Sequence, residues 1–437
     1  MVKIGTSGIN PSQKWVSLTL LQKRDFLRLW LANGLWWQAM WMEQLVLGWV
    51  ALSLTDSAWL VALVGFFRQL PLMLIGLFSA AISDRFKRRS TIVVLQGVNA
   101  AGVGLLAVLS GLGILAYWHI AAVALVNGTS WALDWPTRRA LLPDLVGKER
   151  VLDAMVLENL MQSLTRLSGP LGAGDFLATV GEFGTLVILS FVALLSTLIL
   201  LGMKTDSRAP TAPRGLLASW QSTLEGLRYV VGQPRILGVL LTTLAMNCWL
   251  FPYMNLLPVF ARDVLHQGPA GLGILGVFNG LGTLIGLVII NAGRHKWSRE
   301  WIFIGGSLLA CLGLSGFAFS TSFHLSLALL LMAGIGHAGF SIMQGSIVLL
   351  EAADEMRGRA MGTLVLAIGG GPLGRLQSGA MAAAWGAPLA VGSMSVLAGL
   401  AILGVVAFVP GFIRRYALVG KGIKAPAAVL QEKNEEL

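Results

Sequence analysis

The sequence predicts an all-α integral membrane protein with twelve transmembrane helices in two pseudo-symmetric six-helix bundles. Composition, twelve apolar segments and the distribution of basic residues predict this fold class. Of 437 residues, 55% are hydrophobic and only 12% are charged, and the mean hydropathy is +0.74. A soluble domain carries roughly 25% charged residues. So few polar groups cannot cover a water-soluble globule of this size, and the high hydrophobicity excludes a disordered chain.

Each apolar segment is long enough to cross a bilayer, which requires about 20 mainly apolar residues. The longest polar stretch contains three prolines and a predicted surface helix at Ser219–Tyr229, and it separates the segments into two sets of six. The predicted units are an N-terminal tail (1–27), a six-helix bundle (28–203), a linker (204–235), a second six-helix bundle (236–411) and a C-terminal tail (412–437). The predicted spans are 28–53, 58–83, 91–113, 118–137, 154–180 and 184–203, then 236–261, 269–290, 301–320, 324–350, 358–384 and 388–411.

The basic residues predict how the helices are oriented. If the N-terminus is cytoplasmic, 27 of the 32 lysines and arginines lie in cytoplasmic segments and only Arg262 lies in an outer loop. This asymmetry predicts a multi-pass protein of a bacterial cytoplasmic membrane, with both termini in the cytoplasm. The net charge of +11 is therefore an orientation signal. Because this charge is dispersed over seven loops, no nucleic-acid partner is expected. The remaining basic residues lie within helices: Arg28, Arg68, Arg166 and Arg375.

The two halves of the chain share short sequence features. The segment RLSGPLGAG at 166–174 resembles IGGGPLGR at 368–375, and their prolines lie 202 residues apart. Matching features at such an offset are typical of a transporter built from two parallel repeats. The alternative is coincidence, because Gly-Pro-Leu-Gly is a short match.

A family resemblance is carried by three segments. The loop AAISDRFKRR at 80–89 resembles the first signature of the major facilitator superfamily, Gly-x-x-x-Asp-Arg-x-Gly-Arg-Arg, although Ala80 and Lys87 replace its glycines. Residues 169–174 resemble the superfamily's antiporter signature Gly-Pro-x-x-Gly-Gly, with Ala173 in place of one glycine. Residues 134–146 are similar to the branch that contains macrolide and siderophore exporters. The residues that match the first signature are Asp84, Arg85, Arg88 and Arg89.

The resemblance implies a carrier in which two bundles enclose a central cavity that opens to one side at a time. It implies a cytoplasmic gate in which Asp84 pairs with a guanidinium group or a helix N-terminus, with Arg138 and Arg139 as nearby candidates. The alternative for this loop is charge that only sets topology. The helix 5 motif would bend the helix and allow close packing, or it is a packing groove with no role in coupling. Its residues are Gly169, Pro170, Gly172 and Gly174.

Ionisable residues inside the predicted helices are candidates for proton coupling. A charge at the bilayer centre costs about 2.5–3.5 kcal/mol, so such residues are functional candidates by default. The hypothesis is that Glu43, Asp134 or Glu158 carries a proton, and that Arg68 or Arg166 tunes its titration. Two alternatives stay open: a fixed ion pair such as Glu43–Arg68, and a role for Asp134 in the gate.

The resemblance implies that predicted helices 1, 4, 7 and 10 line the cavity. Polar and aromatic side chains on these helices, and on helix 11, are candidates for substrate contact. The tryptophans are alternatively interfacial or lipid-facing. His337 is alternatively an interior hydrogen-bonded histidine. Arg375 would bind an anionic group or extend to an interface. The candidates are Asn33, Trp37, Gln44, Asn127, Trp131, Asn247, His337, Gln344 and Arg375.

The predicted function is a proton-coupled exporter of amphipathic small molecules, of drug or siderophore type, working by alternating access. One alternative is a proton symporter for a nutrient or metabolite, and another is a non-transporting membrane sensor or assembly scaffold. An enzyme is not expected, because the sequence contains no metal-ligand spacing, serine nucleophile elbow or phosphate-binding loop. The expected partners are a small-molecule substrate, the proton and the bilayer. The protein is expected to be monomeric and to use no cofactor or metal.

Overall fold

The computed structural model describes residues 18–76, 86–205, 216–293 and 296–412. A short 3-10 helix, Leu18–Gln22, precedes the first long helix. The first helix set comprises α1 (Arg24–Thr55), α2 (Ala58–Ile75), α3 (Arg88–Gly111), α4 (Tyr117–Val146), α5 (Val151–Thr179) and α6 (Gly181–Leu201).

The connecting helix α7 (Leu216–Val231) leads to the second helix set. The first member of this set, α8 (Pro234–Val264), includes two π-helical segments, Met246–Leu250 and Phe260–Val264. The others are α9 (Pro269–Gly293), α10 (Arg299–Phe319), α11 (Phe323–Glu351), α12 (Arg357–Ile368), α13 (Gly371–Trp385) and α14 (Ala387–Phe408).

Local sequence explains where several helices begin and end. The Ser57 hydroxyl accepts a hydrogen bond from the Leu60 amide at 3.4 Å and caps α2. Ser298 caps α10 in the same way, with 3.3 Å to the Trp301 amide. These side chains satisfy amide donors that have no partner within the helix. Gly386, with a φ of 84°, separates α13 from α14, because this backbone conformation is favoured by glycine.

Two predicted spans differ from the observed helices, and a third, 58–83, extends beyond Gly76 to positions outside the described residues. The span predicted at 118–137 continues to Val146 in α4, with Pro136 and Pro143 inside the helix. The span predicted at 358–384 is divided into α12 and α13 at Gly369–Gly370. Glycine favours such a break because it loses much conformational freedom in a helix. Pro372 then falls in the first turn of α13, where its missing amide hydrogen costs nothing.

Among the described residues, eight helices are long and apolar enough to cross a membrane: α2, α3, α6, α8, α9, α10, α11 and α14. The remaining long helices, α1, α4 and α5, have 32, 30 and 29 residues and are therefore also long enough. They are less apolar because they carry ionisable side chains, among them Glu43, Asp134, Glu158 and Arg166. The α12–α13 segment is interrupted and carries Arg375.

The helices pack within each set and across the boundary between the sets. In the first set, α1 packs against α5 and α6, α2 against α4, and α3 against α4 and α6. In the second set, α11 packs against α9 and α10, and α10 against α14. The main contacts between the sets are α5 with α9 and α2 with α13. The helices α5 and α13 carry the two similar Gly-Pro segments, so each segment lies at the boundary.

Basic side chains gather at one end of the helix array, which we call the basic end. Lys23 Nζ donates to the carbonyl of Val146 at 3.2 Å, and Arg89 Nη2 donates to the carbonyl of Leu201 at 2.6 Å. Arg235 Nη1 lies 2.8 Å from Glu351. A cation near the last turn of a helix satisfies free carbonyl groups and interacts favourably with the helix dipole. The opposite end carries the turn between α1 and α2.

Candidate functional site

Glu43 is buried at the junction of three helices in the first set. Its Oε1 atom accepts a hydrogen bond from Asn127 Nδ2 at 2.8 Å and lies 3.6 Å from Arg68 Nη1. Arg68 Nη2 also donates to the carbonyl of Met40 at 3.4 Å. A Cβ atom at Gly128 would overlap the carbonyl oxygen of Arg68, so the close approach of α4 to α2 requires glycine there. One carboxylate therefore joins α1, α2 and α4.

A second polar network lies nearer the basic end. Arg138 Nε donates to Asp134 Oδ2, and Arg138 Nη1 donates to Asn33 Oδ1. Asn33 Nδ2 in turn donates to Glu158 Oε1 at 2.6 Å. Asp134 is 1% exposed and Arg138 is 4% exposed. This chain of contacts connects α4, α1 and α5, so Arg138 is bonded inside the first set.

The structure describes only some of the other predicted gate residues. Arg88 Nη1 lies 2.6 Å from Asp144 Oδ2 and donates to the carbonyl of Ala140 at 3.0 Å. Both Arg88 and Arg89 therefore bind the ends of helices in the first set. Asp84 and Arg85 lie outside the described residues, and the gate that they would form stays a prediction.

Two arginines of the helix interior make hydrogen bonds from one helix set to the other. Arg166 Nη2 of α5 lies 2.9 Å from His337 Nδ1 of α11, and its guanidinium lies 5.4 Å from the centre of the Trp41 ring. A guanidinium can only donate, so His337 Nδ1 is the acceptor and is unprotonated. Arg375 Nη1 of α13 donates to Gln69 Oε1 of α2.

The glycines of the helix 5 motif have different surroundings. A Cβ atom at Gly169 would overlap the Cβ of Trp41, and one at Gly174 would lie 2.7 Å from the Cα of Gly273 on α9. A Cβ atom at Gly172 would have 3.5 Å to its nearest neighbour, which is ordinary contact. Pro170 lies between these glycines, inside the continuous helix α5. The motif therefore allows close packing against α1 and against the second helix set.

A cavity, which we call the central cavity, lies between the two helix sets. Its walls come from α1 and α5 on one side and from α8 and α9 on the other. Polar groups and apolar side chains both face it. The residues used below are Trp41, Gln44, Leu45, Arg166, Tyr253, Leu257 and Asn279.

Two further cavities flank the central one. A smaller cavity also contacts Gln44 and includes Arg68 and Asn255 in its lining. Another lies within the first set and is lined in part by Trp37, Arg138 and Glu158. Of the nine predicted cavity residues, Gln44 faces the central cavity and Trp37 faces this last one.

Two other predicted cavity residues form hydrogen bonds within their own helix set, and a third forms none with the described residues. Asn247 Nδ2 donates to the carbonyl of Thr243 at 2.9 Å, and Gln344 Nε2 donates to the Thr243 hydroxyl at 2.8 Å. Trp131 has its indole nitrogen buried without a hydrogen-bond partner among the described residues. These three residues do not line the three cavities described above.

The comparison with known proteins identifies the family. A family model described as a transmembrane secretion effector of the major facilitator superfamily matches residues 16–413. The chain belongs to this family. The multidrug efflux pump Tap of Mycolicibacterium fortuitum is 24% identical over 385 residues, which cover 85% of this chain and 92% of that protein. The enterobactin exporter EntS of Escherichia coli O1:K1 is 27% identical over 302 residues, which cover 66% of this chain and 69% of that protein.

Solved structures of low sequence identity share the fold of this transporter. The nucleoside transporter NupG has a TM-score of 0.67 at 13% identity, covering 89% of this chain and 98% of that one. A D-xylose-proton symporter has a TM-score of 0.66 at 16% identity, and the match covers 88% of this chain and 98% of that one. The prediction of a major facilitator transporter of the exporter branch is confirmed, and so is the prediction that the chain is not an enzyme.

Several residues of the site were not singled out from the sequence. Gln69 and Asn279 carry no motif that separates them from other polar residues in helices, whereas the sequence places Tyr253 among the polar residues that mark helix 7. A usable signal exists on α9, where Gly273, Gly276 and Gly280 are spaced to share one face of a helix. That face packs on α5: a Cβ at Gly276 would lie 2.7 Å from the Cβ of Pro170.

Proposed function

We propose that this transporter exports amphipathic small molecules by alternating access between two six-helix bundles. The first bundle is α1 to α6. The second is α8 to α14, with α12 and α13 forming a single crossing, which gives twelve transmembrane segments. The observation that carries the proposal is the position of the central cavity, whose walls come from both helix sets. A site shared by two bodies changes its access when they rock against each other.

The proposed orientation places the basic end in the cytoplasm. Positively charged residues near helix ends are retained on the cytoplasmic side during insertion. Both termini would then be cytoplasmic, in a bacterial inner membrane. Arg262, the one basic residue of the predicted outer loops, lies at the opposite end, where it contacts Asp56. The transporter would work as a monomer, because each chain contains both walls of the cavity.

The proposed coupling group is Glu43. Its carboxylate is buried, lies in an ion pair and contacts helices other than its own. Protonation would remove the charge that holds Arg68, and Arg68 is followed in α2 by Gln69, which bonds to Arg375 of the second set. A proton on Glu43 could thus alter the contact between the sets. Asp134 and Glu158 are the other candidates, in the network nearer the basic end.

Export can be tested in everted membrane vesicles, whose cytoplasmic face points outward. Vesicles from expressing cells and from deletion cells are energised by respiration and offered a panel of cationic, neutral and anionic amphipathic dyes. We expect at least one dye to accumulate only in vesicles with the transporter, and a protonophore to abolish its accumulation. A proton-driven accumulation in right-side-out vesicles would instead indicate a symporter. If no dye responds in either orientation, the exporter proposal fails.

A further inference from the structure

The arginines of the helix interior differ in how their charge is balanced. Arg68 lies beside Glu43, and Arg138 beside Asp134. Among the described residues, Arg166 and Arg375 have no carboxylate partner. Their hydrogen-bond partners, His337 and Gln69, are neutral. A buried charge without a counter-charge is expensive, and such a residue within a membrane indicates a functional site.

Arg166 differs from Arg375 because it faces a cavity. It lines the central cavity, whereas Arg375 is 7% exposed and packs between α13 and α2. One nitrogen of Arg166 donates to His337. Its other guanidinium nitrogens have no hydrogen-bond partner among the described residues and remain available to a ligand.

Two further donors line the same cavity. The side chains of Tyr253 and Asn279 are at least nine-tenths buried, with 6% and 7% of each residue exposed. Neither the Tyr253 hydroxyl nor the Asn279 amide has a hydrogen-bond partner in the described part of the chain. Together with Arg166 they provide donors from α5, α8 and α9, from both helix sets. Buried polar groups are usually paired, so donors without a protein partner around one cavity favour a ligand that carries an acceptor.

Apart from Gln44, the remaining wall of the cavity is mostly apolar. Trp41 contributes a flat aromatic ring to this wall, and Leu45 and Leu257 contribute aliphatic side chains. A ligand with one polar end and one apolar body would contact both kinds of wall. Charge-assisted hydrogen bonds from a guanidinium to a carboxylate or a similar anion are among the strongest in proteins.

We propose that the central cavity binds an amphipathic organic anion, whose carboxylate or sulfonate is held by Arg166, Tyr253 and Asn279 and whose apolar body lies against Trp41. This inference rests on the proposed role of the central cavity as the transport site, and it names the substrate class. An anion would supply the counter-charge that Arg166 lacks. Because its donors come from both helix sets, the anion would also join them.

The test uses the full-length protein in nanodiscs of zwitterionic phosphatidylcholine. Two probes of the same shape are compared by fluorescence titration: N-dansylglycine, which carries a carboxylate, and its neutral amide. We expect the wild type to bind the anion about 10-fold more tightly, as one charged hydrogen bond provides. Arg166→Gln should reduce binding of the anion to the level of the amide, whereas Arg166→Lys should keep a preference.

The matched control is Arg150→Gln, which removes an arginine at the basic end, far from the cavity along α5. Arg150 bonds to Thr19 and lies 3.9 Å from Asp153, and its removal should leave the preference unchanged. Equal binding of the two probes to the wild type, or no saturable binding of the anion, overturns the inference. The wild-type comparison decides the question even if an Arg166 variant does not fold.

Binding and export can fail separately. If the anion is preferred but no dye in the vesicle panel is transported, the exporter proposal fails and the anion site stands. If neutral or cationic dyes are transported and the purified protein shows no preference for the anion, the exporter proposal stands and the anion site is wrong.

Discussion

Arg262 Nη1 lies 2.7 Å from Asp56 Oδ1 and joins the two helix sets at the end opposite the basic one. The same nitrogen donates to the carbonyl of Leu52 at 3.3 Å, near the end of α1. Nearby, a Cβ atom at Gly48 would lie 3.1 Å from Pro258, so α1 and α8 are also closely packed. The sets are therefore held together at this end by an ion pair and by apolar contact.

The first prediction is that Arg262→Gln makes the central cavity easier to reach from this end. The Asp56 side chain is 80% exposed, and exposed pairs contribute about 0.2–1 kcal/mol, which limits the effect to roughly fivefold. Met254 also lines the central cavity. A cysteine introduced by Met254→Cys, in a protein from which Cys248 and Cys311 have been removed, reports access through its rate of alkylation by an impermeant maleimide. Arg235→Gln is the control, because Arg235 pairs with Glu351 inside the second set. An equal rise in both variants would contradict this role for Arg262.

The second prediction compares two glycines of the same motif. Gly174→Ala should impair transport and lower thermal stability, because the added methyl group would press on the backbone of Gly273. Overpacking of this kind costs about 1–3 kcal/mol. Gly172→Ala should have little effect, since ordinary contact distance is available there. The midpoint of thermal unfolding in detergent and dye transport are measured for both variants. Identical behaviour of the two would show that α5 does not need a close approach at Gly174.

The positions of the helices could be predicted from the sequence because they depend on local properties. Apolar length and charged loops locate each helix to within a few residues in most cases. The extent of α4 could not be predicted, because the polar residues after Thr137 resemble a loop. They remain helical since Arg138 is neutralised by Asp134, four residues earlier in the same helix. The break between α12 and α13 depends on packing as well as on its glycines, since a similar Gly-Pro segment leaves α5 continuous.

Apart from the Glu43–Arg68 pair, the site could be predicted only as single residues. Glu43 and Arg68 lie on neighbouring antiparallel helices, so their proximity could be suggested from the sequence. Gln69 and Arg375 are 306 positions apart, and no periodicity relates them. Their contact depends on how two helix sets pack, which is determined by the shapes of many side chains together. The same reason hides the role of Asn279, which faces one cavity with Arg166 and Tyr253.

The third prediction concerns proton coupling. Glu43→Gln keeps the shape of the side chain and its contact with Asn127, but it permanently removes the charge beside Arg68. We expect accumulation driven by a proton gradient to be lost in everted vesicles, while downhill movement of a transported dye continues. Asp153→Asn, which removes a half-exposed carboxylate at the start of α5, is the control and should retain accumulation. Full accumulation by the Glu43 variant would contradict this role for Glu43 and would indicate Asp134 or Glu158 as the coupling residue.

The fourth prediction separates the structural from the functional role of the Asp134–Arg138 pair. Asp134→Asn removes the carboxylate that is bonded to a buried guanidinium, and breaking such a pair costs about 3–5 kcal/mol. The unfolding midpoint should therefore fall clearly, whereas Asp144→Asn, at a partly exposed pair with Arg88, should change stability by about 1 kcal/mol or less. If both variants unfold alike, the burial of Asp134 is not important for stability.

The double variant Asp134→Leu with Arg138→Met completes this test. Replacing a buried ion pair by apolar residues of similar volume is often neutral or stabilising, so the unfolding midpoint should recover. Transport should remain lost, because Arg138 also positions Asn33, which holds Glu158 at 2.6 Å. A stable double variant that transports at the wild-type rate would show that the network only packs α1, α4 and α5. Recovery of stability without recovery of transport would show that this network takes part in the transport cycle.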